Sequence, residues 1–137
     1  MKKLSLLLPL ILLVALVGAG CKRRVQSAHD VARIYLAFMK AEKYEKAAKM
    51  WDYVTQARKD NEDWDNIQEG QRKLIADKLA SEKEPSLELW SGYFQAATRI
   101  AAFNEMPDHA EAQLEGGRVK KLELTKVGEE WKITGMN

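Results

Sequence analysis

Apolar residues change their spacing once along this chain, near Gln95. Before that point Val31, Ile34, Tyr35, Phe38 and Met39 recur at intervals of three and four, as do Ala47, Ala48 and Trp51, and later Trp64, Ile67, Leu74, Ile75 and Leu79. That is the period of helices with one apolar face. After it, Ala110, Ala112 and Leu114 alternate with His109, Glu111, Gln113 and Glu115, the period of strands buried on one side. Helices first and strands last predict an α+β fold in which N-terminal helices pack on one face of a C-terminal antiparallel β-meander.

Local signals set the expected boundaries. Ser27 followed three residues later by Asp30 resembles a capping box, so a first helix is expected to start there and end near Lys40 to Glu42. A second is expected from Tyr44 through Trp51 to Val54 and Thr55. The polar run Lys59 to Asp63 breaks the pattern, and a third helix is expected from Trp64 to Leu79, weakened in its first half by Gly70. Ser81 to Pro85 is read as a further break, with Pro85 opening a fourth helix over Leu87 to Gln95. Strands are expected at Thr98 to Asn104, His109 to Glu115, Arg118 to Lys126 and around Trp131 and Ile133. Turns fall at Met106-Pro107-Asp108, Gly116-Gly117 and Val127-Gly128-Glu129.

The N-terminus is of another kind. Lys2 and Lys3 precede a run from Leu4 to Ala19 that is apolar except for Ser5, the layout of a secretory signal. Sixteen residues of helix span about 24 Å against a hydrocarbon core of about 30 Å, so cleavage suits the run better than permanent crossing. Gly18-Ala19-Gly20-Cys21 resembles the lipobox of bacterial lipoproteins, with Gly18 where Leu is commonest. The resemblance implies that Cys21 receives diacylglycerol and then an amide-linked chain after cleavage before it. A secreted chain with a free Cys21, or an uncleaved anchor, is the alternative. Cys21 is the chain's one cysteine and so has no partner for an internal disulfide. The expected organisation is a signal over 1–20, a lipidated tether over 21–27 and one domain over 28–137. Lys22 in place of an acidic residue after the cysteine favours the outer membrane if the source has one.

Cleavage also resets the charge. Without Lys2 and Lys3 the 22 basic residues become 20, equal to the 20 acidic ones, so no strongly basic nucleic-acid surface is indicated. The remaining 117 residues suffice for one core.

Two stretches carry a further resemblance. Tyr35-Leu36-Ala37-Phe38-Met39-Lys40 followed by Glu42-Lys43-Tyr44-Glu45-Lys46-Ala47-Ala48 is similar to a helix junction of the nuclear transport factor 2-like superfamily, whose form is Gly-Asp-Tyr-x-x-Ala. Val119 to Leu124 with Gly128-Glu129-Glu130-Trp131-Lys132-Ile133 resembles its closing strands. The resemblance implies a cone-shaped α+β domain, of a kind found among small bacterial lipoproteins, whose relatives often dimerise through the open sheet face. In that superfamily's enzymes an acidic base works with a Tyr or a protonated Asp. Here Glu111, Glu115 and Glu123 fall on the face opposite the inward set Ala110, Ala112, Leu114, Leu122 and Leu124, so the catalytic pattern does not carry over. Ala41 to Ala47 also looks like the start of a tetratricopeptide unit, which without neighbouring units buries no face.

Little else in the sequence indicates chemistry. His29 and His109 are the only histidines, too few for a zinc site once Cys21 is committed to lipid. Asp60, Glu62, Asp63 and Asp65 lack the Gly and Glu spacing of an EF-hand and suit a helix N-terminus instead. Ser86 and Ser91 have no histidine at a recognisable interval, and no phosphate loop or nucleophile elbow occurs. No cofactor is expected. Trp90, Tyr93, Phe94, Phe103 and Trp131 form the candidate pocket, because small-molecule sites are apolar with few polar groups. The expected function is a non-enzymatic, membrane-anchored envelope lipoprotein that binds a partner protein or a small apolar or peptide-like ligand. The alternatives are an isomerase- or hydratase-type enzyme with an acid beside Tyr35, Tyr53 or Tyr93, or a structural subunit of an envelope assembly.

Overall fold

A computed structural model describes residues 26–137; the expected signal, Cys21 and most of the expected tether lie outside the described residues. Among the described residues, four α-helices and two 3-10 turns precede four strands: α1 (Ala28–Lys40), α2 (Tyr44–Ala48), α3 (Tyr53–Asp60), a turn at Trp64–Asn66, α4 (Glu69–Leu89), a turn at Ser91–Tyr93, then β1 (Arg99–Glu105), β2 (His109–Glu115), β3 (Lys121–Val127) and β4 (Glu130–Met136). The strands form one antiparallel meander in the order β1-β2-β3-β4, so the expected α+β arrangement of helices followed by an antiparallel sheet is present.

α1 begins where its cap predicts: the Ser27 hydroxyl accepts the Asp30 N–H at 3.1 Å. Its buried face is Ala28, Val31, Ala32, Tyr35, Leu36 and Met39, and it lies across all four strands. The opposing sheet face is the inward set read from alternation, Ala110, Ala112, Leu114, Leu122 and Leu124, all buried, joined by Trp131 and Ile133. The helix stops at Ala41, and Glu42 takes a left-handed φ of 58°.

The expected helix from Tyr44 to Thr55 is instead two. The chain straightens between α2 and α3, and Trp51 bridges Ile133 in parallel beside β4. Ile133 N–H donates to the Met50 carbonyl at 2.8 Å, and Asp52 N–H donates to the Ile133 carbonyl at 3.0 Å. Asp52 then caps α3 by accepting the Thr55 N–H at 3.2 Å. The cap and the sheet bonds together outweigh continued helix, and they turn Trp51 into the core.

The reverse happens farther on. Ser81 to Pro85 is no break: α4 runs unbroken for 21 residues with Pro85 inside it. An interior proline costs about 3 kcal/mol. Pro85 is exposed, and the two buried residues of α4, Lys83 and Leu87, flank it, so packing on both sides holds the helix across it. α4 covers α2 and α3 and ends at Leu89, with Trp90 as its C-cap; the expected helix to Gln95 tightens into the 3-10 turn and then extends at Phe94. Trp64 falls in its own short turn, where the Arg72 guanidinium stacks 5.7 Å from its ring.

The Gly116-Gly117 connection is longer than a two-residue hairpin, since Leu114 N–H reaches the Lys120 carbonyl at 2.8 Å and β3 starts only at Lys121. Gly116 has a positive φ of 81°. Gly117 does not; a Cβ there would come within 2.7 Å of the Tyr93 carbonyl oxygen, so this glycine serves close approach.

Candidate functional site

Two places in this fold gather side chains that could do chemistry or recognition. The first is inside. Trp51, carried inward by its bridge to β4, donates its indole N–H to the Tyr35 hydroxyl at 3.2 Å, and that hydroxyl lies 3.8 Å from the Met136 sulfur. Burial pushes the Tyr35 pKa well above the ordinary phenol range, so the hydroxyl stays protonated. Lys83 of α4 covers the Trp51 ring, its Nζ 3.7 Å from the ring centroid, in a residue only 8% exposed. Burial pushes the lysine pKa down while the Asp60 carboxylate pulls it back, and the indole face also favours the charged form. Beside this axis the Tyr53 hydroxyl donates to the Ala48 carbonyl, and burial pushes its pKa up to about 12.

The arrangement ties α1, the α2–α3 link, α4 and β4 together. The Tyr35 and Tyr53 hydroxyls meet Trp51, Met136 and Ala48 in these hydrogen bonds, none of them an acid. Among the described residues, no three His, Cys, Asp or Glu side chains converge as a metal site would need. Lys83 falls in the stretch Ser81 to Pro85 that the sequence reads as an interhelical break; its only sequence signal is the four-residue spacing to Leu87, readable once Pro85 is allowed inside a helix.

The second place is an outer end of the domain. Leu89, the last residue of α4, is 83% exposed, and Trp90 beside it is 36% exposed. The Trp90 and Tyr93 rings lie 5.0 Å apart, and the exposed Arg118 places its guanidinium 5.5 Å from the Tyr93 ring. The glycine loop holds this group in place, with Arg118 N–H donating to the Tyr93 carbonyl at 3.0 Å. Lys40, at the end of α1, reaches the same end of the sheet by donating to the Ala96 carbonyl at 3.2 Å.

The five aromatics expected to form a pocket are divided by the fold. Phe94 and Trp131 are buried in the core, Phe94 with its ring 6.4 Å from Tyr35. Trp90 and Tyr93 form the outer patch. Phe103 sits on edge strand β1 against His29, ring centroids 5.1 Å apart. It is three strand spacings, about 14 Å, from Trp131 on β4. Period alone could not reveal this, because it assigns a face and leaves strand order open. Cys21 lies outside the described residues.

The open sheet face is polar. Lys121 meets Glu123 at 3.0 Å and Glu111 at 3.6 Å, and Lys59 of α3 reaches Glu123 at 3.3 Å. The Lys121 hydrogen bond, with help from Lys59, holds the Glu123 carboxyl below its usual range. No helix among the described residues is long and apolar enough to cross a membrane. No protein-family model, curated protein or solved structure matches the chain.

Proposed function

We propose that the chain is an envelope lipoprotein, anchored through acylated Cys21, whose domain binds a partner protein through the end formed by Leu89, Trp90, Tyr93 and Arg118. One observation carries this reading: a leucine 83% exposed stands beside a partly exposed tryptophan, in a group braced by the glycine loop. Trp, Tyr and Arg are the residues that most often dominate binding energy at protein interfaces, and a rigid aromatic loses little entropy when covered. A small apolar or peptide-like ligand would use the same surface. The outer membrane is the favoured site, if the source has one, because Lys22 follows Cys21.

The finer fold reading, a nuclear transport factor 2-like cone, gains support from Glu42. The motif places glycine at this point of the helix junction, and Glu42 takes the left-handed backbone that glycine accepts freely. The closing strands match in kind, with Gly128 at a positive φ of 63° in the turn and Trp131 and Ile133 facing inward.

A photocrosslinking residue at Leu89 in the intact, membrane-bound protein tests the binding surface, with the same residue at the exposed Leu74 of α4 as control. The expected result is one discrete adduct from position 89 only, weakened at least about 30-fold in apparent affinity by Trp90→Ala. Equal adducts from both positions, or an adduct indifferent to Trp90→Ala, would overturn it.

A further inference from the structure

The described chain begins at one particular end of the domain. His29, in the first turn of α1, packs on Phe103 with ring centroids 5.1 Å apart, two residues before β1 ends. Lys40, at the other end of α1, bonds to Ala96 just before β1 starts. α1 therefore runs antiparallel to β1, and its N-terminus sits beside the tip of the β1–β2 hairpin. The β3–β4 tip is there too, because Lys126 N–H donates to the Asp108 carbonyl at 2.9 Å across the two turns. Each tip presents an apolar side chain to solvent: Met106 is 45% exposed and Val127 43% exposed.

Chain length fixes what lies opposite. Five residues lie between Cys21 and the Ser27 cap, and the six steps from one to the other reach at most about 20 Å even fully extended. An acyl chain on Cys21 thus holds this end of the domain within that distance of the bilayer, while the Leu89 and Arg118 end lies about one α1 length, roughly 20 Å, farther along the molecule. From the short tether and the paired apolar tips we infer that Met106 and Val127 rest in the lipid interface and orient the domain with its Trp90 end directed away from the membrane. The inference rests on the lipoprotein reading of Cys21 and adds to it a second, non-covalent contact with lipid.

The charges at this end set the depth. Glu105, Asp108 and Glu129 are exposed beside the tips with Lys126, and acids resist transfer into hydrocarbon. The contact is therefore at headgroup level. Lys22, Arg23 and Arg24 directly follow Cys21 in sequence, and on this inference their charge offsets repulsion between the acids and anionic lipid. Two half-exposed side chains supply orientation; the acyl chains supply retention.

Acylation leaves Cys21 without a free thiol, so a cysteine introduced elsewhere takes a nitroxide label alone. The full-length acylated protein is placed in vesicles of phosphatidylethanolamine with a minority of phosphatidylglycerol, labelled singly through Met106→Cys, Val127→Cys or Leu89→Cys. Relaxation by oxygen, which concentrates in lipid, is compared with relaxation by a water-soluble nickel chelate. Labels at 106 and 127 are expected to favour oxygen over nickel several-fold more than the label at 89. Intact mass is measured on the same samples. Acylated protein whose three labels all read as water-exposed overturns the orientation alone; a mass without acyl chains overturns the anchor reading and this inference with it. Both tips are exposed turns, and two independent positions guard against a fold disturbed by either substitution.

Discussion

The Lys83 ammonium lies 3.7 Å from the centre of the Trp51 ring, although the two residues come from elements that share no strand or helix. A buried amine is costly and a cation over an indole recovers about 0.5 to 2 kcal/mol, so the two effects nearly cancel. Lys83→Met, which keeps the stem's length, is expected to leave stability at neutral pH within about 1 kcal/mol of the parent. Lys83→Ala also uncovers Trp51 and is expected to cost about 2 kcal/mol or more. The pH dependence separates charge from packing. Burial lowers the folded-state pKa of Lys83 below its ordinary 10.5, so in that window the unfolded chain binds more protons and stability rises with pH. Urea titrations at several pH values below 10.5 are expected to show this rise in the parent and a smaller one in Lys83→Met.

Tyr35→Phe tests the other side of the same indole. The substitution removes the acceptor at 3.2 Å and leaves the Trp51 N–H unpaired within the core. An unsatisfied buried donor costs about 1 to 3 kcal/mol. Chemical denaturation is expected to report a loss in that range, and Trp51→Phe in the Tyr35→Phe background should cost less than Trp51→Phe alone.

Backbone conformation gives opposite signs at two sites. Glu42→Gly is expected to stabilise the protein by about 1 kcal/mol, because it relieves a left-handed residue at φ 58° in an exposed junction. Gly116→Ala is expected to destabilise it by more than that: the position has φ 81°, and the new Cβ would meet the Ala97 carbonyl. Thermal melts of the two variants against the parent give both signs.

Glu123 contributes to acid sensitivity. Its carboxyl is held below the usual range chiefly by the Lys121 hydrogen bond, so the folded state binds this proton less tightly than the unfolded chain does. The contribution is complete above the ordinary carboxylate pKa of 4.5 and is lost as pH falls through the lower folded value. Glu123→Gln is expected to cost at most about 1 kcal/mol at neutral pH, as partly exposed pairs do. Stability measured downward from pH 6 should then fall less steeply in the variant than in the parent.

These relationships were legible in the sequence to different degrees. Alternation placed Ala110, Ala112, Leu114, Leu122 and Leu124 on the buried face, and Ser27 marked the start of α1, because both signals are local. Trp51 fits a helical period with Ala47 and Ala48, yet Asp52 supplies a cap and Ile133 a pair of backbone bonds, and Ile133 lies at the far end of the domain's sequence, in the last strand. Pro85 misled in the opposite direction: its usual role at a helix start hid the packing of Lys83 and Leu87 on either side. The aromatic set dispersed for the same reason. Phe103 and Trp131 share the apolar character of a pocket lining, but strand order puts them on opposite edges, and order is a long-range property.

The Met50 to Asp52 link also bears on how molecules of this protein meet. Its bonds to Ile133 occupy the outer side of β4 near its middle, where a strand from another copy would otherwise add. The other border strand, β1, has an irregular register between Ile100 and Ala102 and carries Arg99, Asn104 and Glu105 exposed along it. Interrupted pairing and exposed charge both discourage edge-to-edge addition. On the lipoprotein reading proposed above, anchored copies would meet often, and both borders of this sheet oppose the growth of a continuous β-structure between them.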